Sequence, residues 1–250
     1  MKPRLLLTIL FCSPVFAQVG PAFDVAVVKQ SPEGPRNKGI GPRARQLEGM
    51  NVSVVDMLTF SFGIHRTQIV GAPPWAESRL FDFVGQPGGE GPVDGQQWRS
   101  MLLRLLMDRF QLTYHREKRE MPAFALRATG RKVTRTPSSR NPEDLPNFGV
   151  GNGNVVATNV GMADFAHILQ EALLDRPVVD QTKIPGKFDF TLKWTPDAFQ
   201  HGQQAPTQTR PDMPPSLYEA IQEQLGIKIQ TTKAVVDVIV IDKVEQPSAN

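Results

Sequence analysis

The sequence feature that most constrains the fold is a tripeptide that occurs twice, as Phe81-Asp82-Phe83 and as Phe188-Asp189-Phe190. An Asn-Val pair precedes each copy, at Asn51 in the first half and at Asn159 in the second. In both halves an apolar helical pattern and a short β-like piece lie between the pair and the tripeptide. A second helical pattern then follows. Self-similarity of this kind predicts duplication of one supersecondary unit.

The order of elements within each copy predicts an α+β fold. Each half follows roughly the order β-α-β-β-α-β-β, so we expect two helices packed on a small, mainly antiparallel sheet per copy. Each copy is expected to end in a hairpin of paired strands, from Phe110 to Ala128 and from Ile227 to Val244. Residues Val235 to Ile241 are apolar on both sides, which predicts a central strand.

Helix capping explains the aspartates that stand near the first helix of each copy. Ser53 is a favourable N-cap, and Asp56 follows it at the spacing of a capping box. Gly161 and Asp164 have the same spacing in the second copy. We therefore assign both aspartates to helix starts and not to chemistry.

Composition divides the chain into segments. We expect a first α+β repeat at residues 18–130, a linker at 131–153 and a second repeat at 154–250. The linker is rich in Pro, Ser, Arg, Asn and Gly, which favour loops. Within the second repeat, the Gln- and Pro-rich residues 197–215 predict a mobile insertion.

Residues 1–17 have the pattern of a secretory signal peptide. A charged start at Lys2 and Arg4 precedes a short apolar run, and cleavage is expected ahead of Gln18. The single cysteine, Cys12, lies within this segment and would be lost with it. We therefore expect an exported protein of the periplasm or the exterior, without thiols or disulfides.

The charge balance gives no indication of a nucleic-acid partner. The formal net charge of +3 falls to about +1 when Lys2 and Arg4 are removed. No later apolar stretch reaches transmembrane length, so no transmembrane segment is expected in the mature chain. The sequence leaves the oligomeric state open.

Many ordered segments match a known family pattern. They are Phe23-Asp24-Val25 with Lys29, Asn51-Val52-Ser53, Gly71 to Trp75, Phe81-Asp82, Leu105 to Phe110, His115-Arg116-Glu117, Arg176 to Asp180, Phe188 to Leu192, Leu217 to Leu225 and Val240 to Ser248. Through them the whole mature chain resembles a large family of secreted bacterial proteins, abundant in soil acidobacteria, known as domain of unknown function 3738. The family has no established activity, so the resemblance implies no function.

The order of helices and strands is also similar to that of the small α/β/β modules at the periplasmic ends of secretins and TonB-dependent receptors. Those modules bind other proteins, often through sheet edges. The similarity concerns the fold alone.

The residues that a metal site requires are scattered. His65, His115, His167 and His201 show no pairwise ligand spacing, so we expect no metal site and no cofactor. No Gly-x-Ser-x-Gly elbow occurs. The glycine-rich stretch from Gly149 to Asn154 lacks the Lys-Ser/Thr ending of a phosphate loop and is assigned to the linker.

Two groups of charged residues remain as candidates. His115 and Arg116 open a charged run at the tip of a predicted hairpin. They fit either an acid–base or anion-binding turn, or a solvated hairpin that keeps a sheet edge from aggregating. Asp82 and Asp189 are a symmetric pair that could support glycoside hydrolysis, but strand alternation places each opposite its phenylalanines. For both groups we favour the structural interpretation.

The tryptophans are candidates for a binding surface. Trp98 lies on the apolar stripe of a helix, so we expect it to be buried. Trp75 and Trp194 lie near strand or loop ends, where either could form a platform for a sugar or a peptide.

The sequence therefore favours an exported, non-catalytic module that binds a protein, peptide or cell-envelope ligand through a sheet edge or the groove between the copies. The candidate binding residues are Trp75, His115, Arg116 and Trp194, and no catalytic residue is assigned. The alternative is a cell-envelope hydrolase with a site between the two repeats. A purely structural envelope protein is a third possibility.

Overall fold

The computed structural model describes residues 21–34, 36–130, 135–142, 146–196 and 213–247. Helices and strands are mixed, and the strands form three sheets of four strands each, which confirms the α+β class. The predicted signal peptide and residues 197–212 of the predicted insertion lie outside the described residues. No described helix has the length and apolar content to cross a membrane.

The described part of the first half contains three helices and six strands. In chain order they are β1 (Phe23–Gln30), β2 (Gly39–Arg43), β3 (Gln46–Val52), α1 (Val54–Phe62), a 3₁₀ turn (Arg66–Gln68), β4 (Ile69–Val70), α2 (Pro74–Ser78), β5 (Phe81–Pro87), α3 (Gly95–Arg109) and β6 (Thr113–Ala128).

The described part of the second half contains two helices and six strands. They are β7 (Thr136–Pro137), β8 (Asn147–Gly151), β9 (Asn154–Val160), α4 (Met162–Ala172), β10 (Val178–Asp180), β11 (Phe188–Lys193), α5 (Leu217–Leu225) and β12 (Ile227–Lys243). Because β7 and β8 fall within residues 131–153, the linker predicted there is in part strand.

One antiparallel sheet belongs to each half, and the two have the same order. The first sheet runs β1-β5-β3-β2 and the second runs β7-β11-β9-β8. Phe81 opens β5 opposite Val52, and Phe188 opens β11 opposite Val160. This correspondence is what a duplication predicts, although duplication itself stays a prediction.

The third sheet is shared between the halves and has the order β10-β6-β12-β4. The two long strands pair antiparallel at its centre, from Thr113 opposite Lys243 to Ala128 opposite Ile227. On one side β10 runs parallel to β6, and on the other β4 runs parallel to β12. Each half thus places a short strand beside the long strand of the other half.

This arrangement corrects the two hairpins predicted at the ends of the copies. Residues 113–128 and 227–243 are single strands of 16 and 17 residues. Neither contains glycine, or the Asn-Gly or Asp-Gly pair that a tight two-residue turn favours. The prediction of a central position for Val235 to Ile241 is confirmed, because β12 is an inner strand of the shared sheet.

The helices begin and end as local chemistry dictates. The Ser53 hydroxyl accepts from the Asp56 N–H, and the Asp56 carboxylate accepts from the Ser53 N–H at 2.8 Å. In α4 the Asp164 carboxylate accepts from the Gly161 N–H at 2.9 Å, which confirms the predicted cap. Gly63 ends α1 with a φ of 63°, a left-handed conformation that glycine adopts at low cost.

The tripeptides anchor two separate cores. Phe81 and Phe83 are buried in the first core, where Phe81 meets Phe110 edge to face. Phe190 is buried in the second core and meets Phe165 in the same way. Burying one such ring contributes about 1.5–3 kcal/mol, so the repeated phenylalanines are substantial contributors to each core.

Candidate functional site

The aspartate of the first tripeptide lies at the centre of a polar cluster. Its carboxylate accepts hydrogen bonds from the Ser31 hydroxyl at 2.7 Å, the Asn51 backbone N–H at 2.9 Å and the Arg36 guanidinium at 2.8 Å. Burial opposes ionisation of Asp82, but these three donors outweigh it and lower its pKa to about 2. Asp82 is therefore ionised and fully engaged at neutral pH.

The aspartate of the second tripeptide has closely similar partners. The Asp189 carboxylate accepts from the Asn159 N–H at 2.8 Å, and the Ser138 hydroxyl also donates to it. These bonds lower the pKa of Asp189. Asn51 and Asn159 have φ angles of 56° and 59° at the irregular point of their strands. Each carboxylate thus holds a left-handed bulge residue of its own sheet.

This geometry explains the repeated aspartates without catalysis. Asp82 and Asp189 belong to different sheets, and each is bound by donors of its own half. They do not form a pair of carboxylates flanking one ligand, which glycoside hydrolysis requires. The structural interpretation favoured from the sequence is therefore the one that the contacts support.

A groove of about 490 Å³ lies between the halves, and we call it the α1 cavity. Its walls are Lys38, Gly39, Ile40, Val52, Asp56, Thr59, Phe60, Ile64, His65 and Arg66 from the first half and Gln170, Glu171, Ala172 and Leu174 from the second. The C-terminal parts of α1 and α4 thus face the same space. Both apolar and charged groups are available to a ligand there.

The charges around the α1 cavity are mostly paired. Lys38 lies 2.7 Å from the Asp56 carboxylate. Burial opposes ionisation of Asp56, but the bonds from Lys38 and Ser53 lower its pKa. His65 is buried, and its Nδ1 lies 2.9 Å from the Thr67 hydroxyl, as expected for a histidine that caps the following turn. No described group in this cavity has the geometry of an activated nucleophile.

A second cavity between the halves has a volume of about 430 Å³, and we call it the Arg99 cavity. Gly63 and Arg99 line it from the first half, and Pro146, Phe148, Ala163, Asp164, His167, Gln170 and Val178 line it from the second. Arg99 Nη2 lies 2.9 Å from His167 Nε2, which joins the two halves. Gln170 lines both this cavity and the α1 cavity.

A third cavity of about 370 Å³ contains Trp75, and we call it the Trp75 cavity. Trp75 is half-buried in α2, and Arg79 and Asn51 lie in the same wall. Trp75, which the sequence predicts to be a binding platform, therefore lies in the wall of a concave surface. That role stays a prediction.

The other predicted binding residues do not converge on Trp75. Trp194 is only 2% exposed and lies in the second core, so it cannot form an open platform. That part of the sequence prediction is wrong, because the side chain is enclosed by the second core, which includes Leu217 and Ile221 of α5. Trp98 is buried, as predicted.

His115 lies near the start of β6 and not at a hairpin tip. Its ring is about half exposed and bridges Asp242 of β12, at 2.8 Å from Nδ1, and Glu117, at 3.1 Å from Nε2. The bonds to Glu117 and Asp242 raise the pKa of His115. The imidazole thus crosslinks the two long strands on an open face, outside the walls of the three cavities described above.

Arg116 has a packing role. Its guanidinium lies 5.3 Å from the centre of the Phe62 ring, a cation–π distance, and Phe62 meets Tyr114 edge to face. Arg116 therefore covers the end of α1. His115 and Arg116 lie inside a strand, so the turn that the anion-binding interpretation requires is not formed there.

The cavity residues were not found from the sequence. Arg99, His167 and Gln170 carry no local motif, since they become neighbours only when α3 and α4 pack across the junction of the halves. Within the described ranges no group of three or more histidine, cysteine, aspartate or glutamate side chains could hold a metal ion.

A family of known proteins matches most of the chain. The family described as "Protein of unknown function (DUF3738)" matches residues 55–244. No curated protein and no solved structure matches the chain.

Proposed function

Because the chain belongs to the DUF3738 family of proteins of unknown function, we propose its function from its structure: it is an exported, non-catalytic module that binds a peptide or a protein segment in the α1 cavity. The observation that carries the proposal is the cavity itself, a space of about 490 Å³ whose walls come from both halves. Ligand sites favour such junctions and have volumes of roughly 300–1,000 Å³.

The walls of the α1 cavity suit a peptide. Phe60, Ile64 and Leu174 offer apolar surface, and the ion pair of Lys38 and Asp56 lies beside them. A peptide contact of this kind combines an apolar centre with polar groups at the rim. One sheet edge is partly occupied, because Arg109 of α3 donates to the Ala26 carbonyl of the edge strand β1, at 3.4 Å.

A catalytic role has weaker support. The histidine with the clearest acid–base environment, His115, lies on an open strand face and outside the α1 cavity. The repeated aspartates are bound to backbone and side-chain donors of their own sheets. These positions favour binding over turnover.

A selection of displayed random peptides on the mature protein tests the proposal. Thr59 is half-buried in the cavity wall, so Thr59→Trp fills the space and is expected to weaken selected peptides by more than about tenfold. Glu223→Trp on the exposed face of α5 is the matched control and should leave their affinity unchanged. Thermal unfolding of both variants checks that each is folded.

If the selected peptides bind the folded Thr59→Trp variant as tightly as they bind the unsubstituted protein, the α1 cavity is not the peptide site. The hydrolase alternative is favoured by one observation, the imidazole of His115 held between Asp242 and Glu117. Turnover of an envelope polymer that His115→Ala abolishes, with folding intact, would replace the binding proposal with that alternative.

A further inference from the structure

The Arg99 cavity presents a cation that has no carboxylate partner. Arg99 is half-buried, and among the residues that the structure describes it makes no ion pair. Its bonding partner is the imidazole of His167, 2.9 Å away on the other half. A guanidinium that lines a cavity and is held by a neutral ring keeps its full charge available to a ligand.

The contact between Arg99 and His167 restricts the protonation of the imidazole. A guanidinium only donates, so a hydrogen bond from Arg99 requires that His167 Nε2 accept, as in a neutral ring. The Glu171 carboxylate lies 3.2 Å from the same nitrogen and can bind it only when that nitrogen is protonated. Burial of the imidazole and the charge of Arg99 outweigh the nearby carboxylates and lower the pKa of His167, which agrees with the neutral ring.

The other charged groups that face this site are the carboxylates of Asp164 and Glu171. Asp164 pairs with Lys187 at 2.7 Å and accepts from the Gly161 N–H. Glu171 lies on the turn of α4 that follows His167, and its side chain is about half exposed. Arg99 is the one cation in the described wall of the cavity, and the Asp164 carboxylate in the same wall has Lys187 as its own partner.

The remaining wall is apolar. Phe148 is 40% exposed, a large fraction for a phenylalanine, and Ala163, Val178 and Pro146 lie around the same space. A cavity of about 430 Å³ accommodates a ring and a short chain.

From this combination we infer that the Arg99 cavity binds the carboxylate of a ligand whose adjoining apolar group packs against Phe148. Arg99 holds the carboxylate through paired N–H donors, the arrangement for which a guanidinium is suited. Gln170 lies at the border with the α1 cavity, where its amide donates to the Gly63 carbonyl at 3.3 Å and accepts from the Val178 N–H at 3.1 Å. The site is separate from the peptide site proposed above and stands independently of it.

NMR titration of the full mature chain with 3-phenylpropionate tests the inference at neutral pH. The acid should cause saturable shifts at Gly63, Ala163 and Gln170, and the neutral 3-phenylpropionamide should bind at least about tenfold more weakly. Acetyl-Gly-Gly-Phe and its C-terminal amide, compared in the same way, show whether a peptide terminus or a small acid fits better.

Substitutions test whether the charge of Arg99 is responsible for binding the acid. Arg99→Gln should weaken binding of the acid by about tenfold or more and leave the amide unaffected, and Arg99→Lys should restore part of the affinity. Arg104→Gln is the matched control, because Arg104 lies on the same helix and pairs with Asp108 at 2.8 Å. Circular dichroism and thermal unfolding establish that each variant is folded.

Several outcomes would overturn the inference. They are the absence of saturable shifts up to about 10 mM acid, equal binding of acid and amide, or unchanged binding by folded Arg99→Gln. Thr59→Trp separates the two proposals, because it blocks the α1 cavity and should leave 3-phenylpropionate binding intact.

Discussion

Replacement of Asp82 by asparagine tests the structural role of the repeated tripeptide. The substitution keeps the size of the side chain but removes the negative charge to which Ser31, Arg36 and Asn51 donate hydrogen bonds. The side chain of Asp82 is only 12% exposed, so water cannot replace these bonds fully. The variant should therefore lose stability without any change in the shape of the core.

The size of the loss follows from the pKa. Folding lowers the pKa of Asp82 from 3.8 to about 2, and each unit corresponds to 1.36 kcal/mol, so the ionised form contributes about 2.4 kcal/mol. Arg36 is one-third exposed, and screening by solvent reduces its share. We expect Asp82→Asn to lower the free energy of unfolding by about 1–2.5 kcal/mol at neutral pH.

Urea unfolding of residues 18–250 with and without the substitution, followed by circular dichroism from neutral pH downward, measures this loss of stability. The folded pKa is depressed, so the stabilisation is present above the unfolded value of 3.8 and is lost as pH falls through about 2. The difference in free energy of unfolding between the two proteins should therefore become smaller as the pH falls from 3.8 to about 2. A difference below about 0.5 kcal/mol at neutral pH, or one that stays constant down to the acid limit, would refute the reasoning.

Three other perturbations have defined outcomes. Asp242→Asn should lower the pKa of His115 towards 6.5 in an NMR titration. His115 contributes stability that is lost as pH rises through its raised pKa, and this contribution should become smaller in the variant. Asp237→Asn, which removes the partner of Lys118, is the control. Gly63→Ala should cost about 1–2 kcal/mol in urea unfolding, because φ is 63° and the new methyl group meets Arg99, and an unchanged free energy would contradict this. Residues 18–130 alone should show no cooperative unfolding, since β6 and β4 lose their partner β12; a cooperative transition would contradict the shared sheet.

Local signals made much of the fold predictable. The caps at Ser53 and Asp164 depend on residues within one helical turn, and the apolar spacing that follows marks the helix face. Phe81 and Phe188 are predictable as strand positions because each opens the same Phe-Asp-Phe tripeptide. Information within a few residues of a position was sufficient for these elements.

The predictions that are wrong all depend on contacts between residues that are distant in the chain. Alternation of apolar and polar residues from Thr113 to Ala128 fits a hairpin and a single long strand equally, and the pairing with β12 decides between them. The length of 16 residues is beyond the usual range of strands, which favours a hairpin when the sequence alone is considered. The burial of Trp194 has the same origin, since the second core that encloses it includes α5, which follows residues 197–212 in the chain.

The shared sheet also accounts for the positions of the two junction cavities. Because β4 pairs with β12 and β10 pairs with β6, the segment that joins α1 to β4 and the segment that joins α4 to β10 both cross to the opposite half. Gly63, Ile64 and His65 lie in the first of these segments, and Leu174 lies in the second. A ligand in either cavity therefore contacts residues of both halves. Since a ligand that binds only the folded state stabilises everything that must fold to form its site, occupancy should raise the unfolding temperature of the whole chain in one transition.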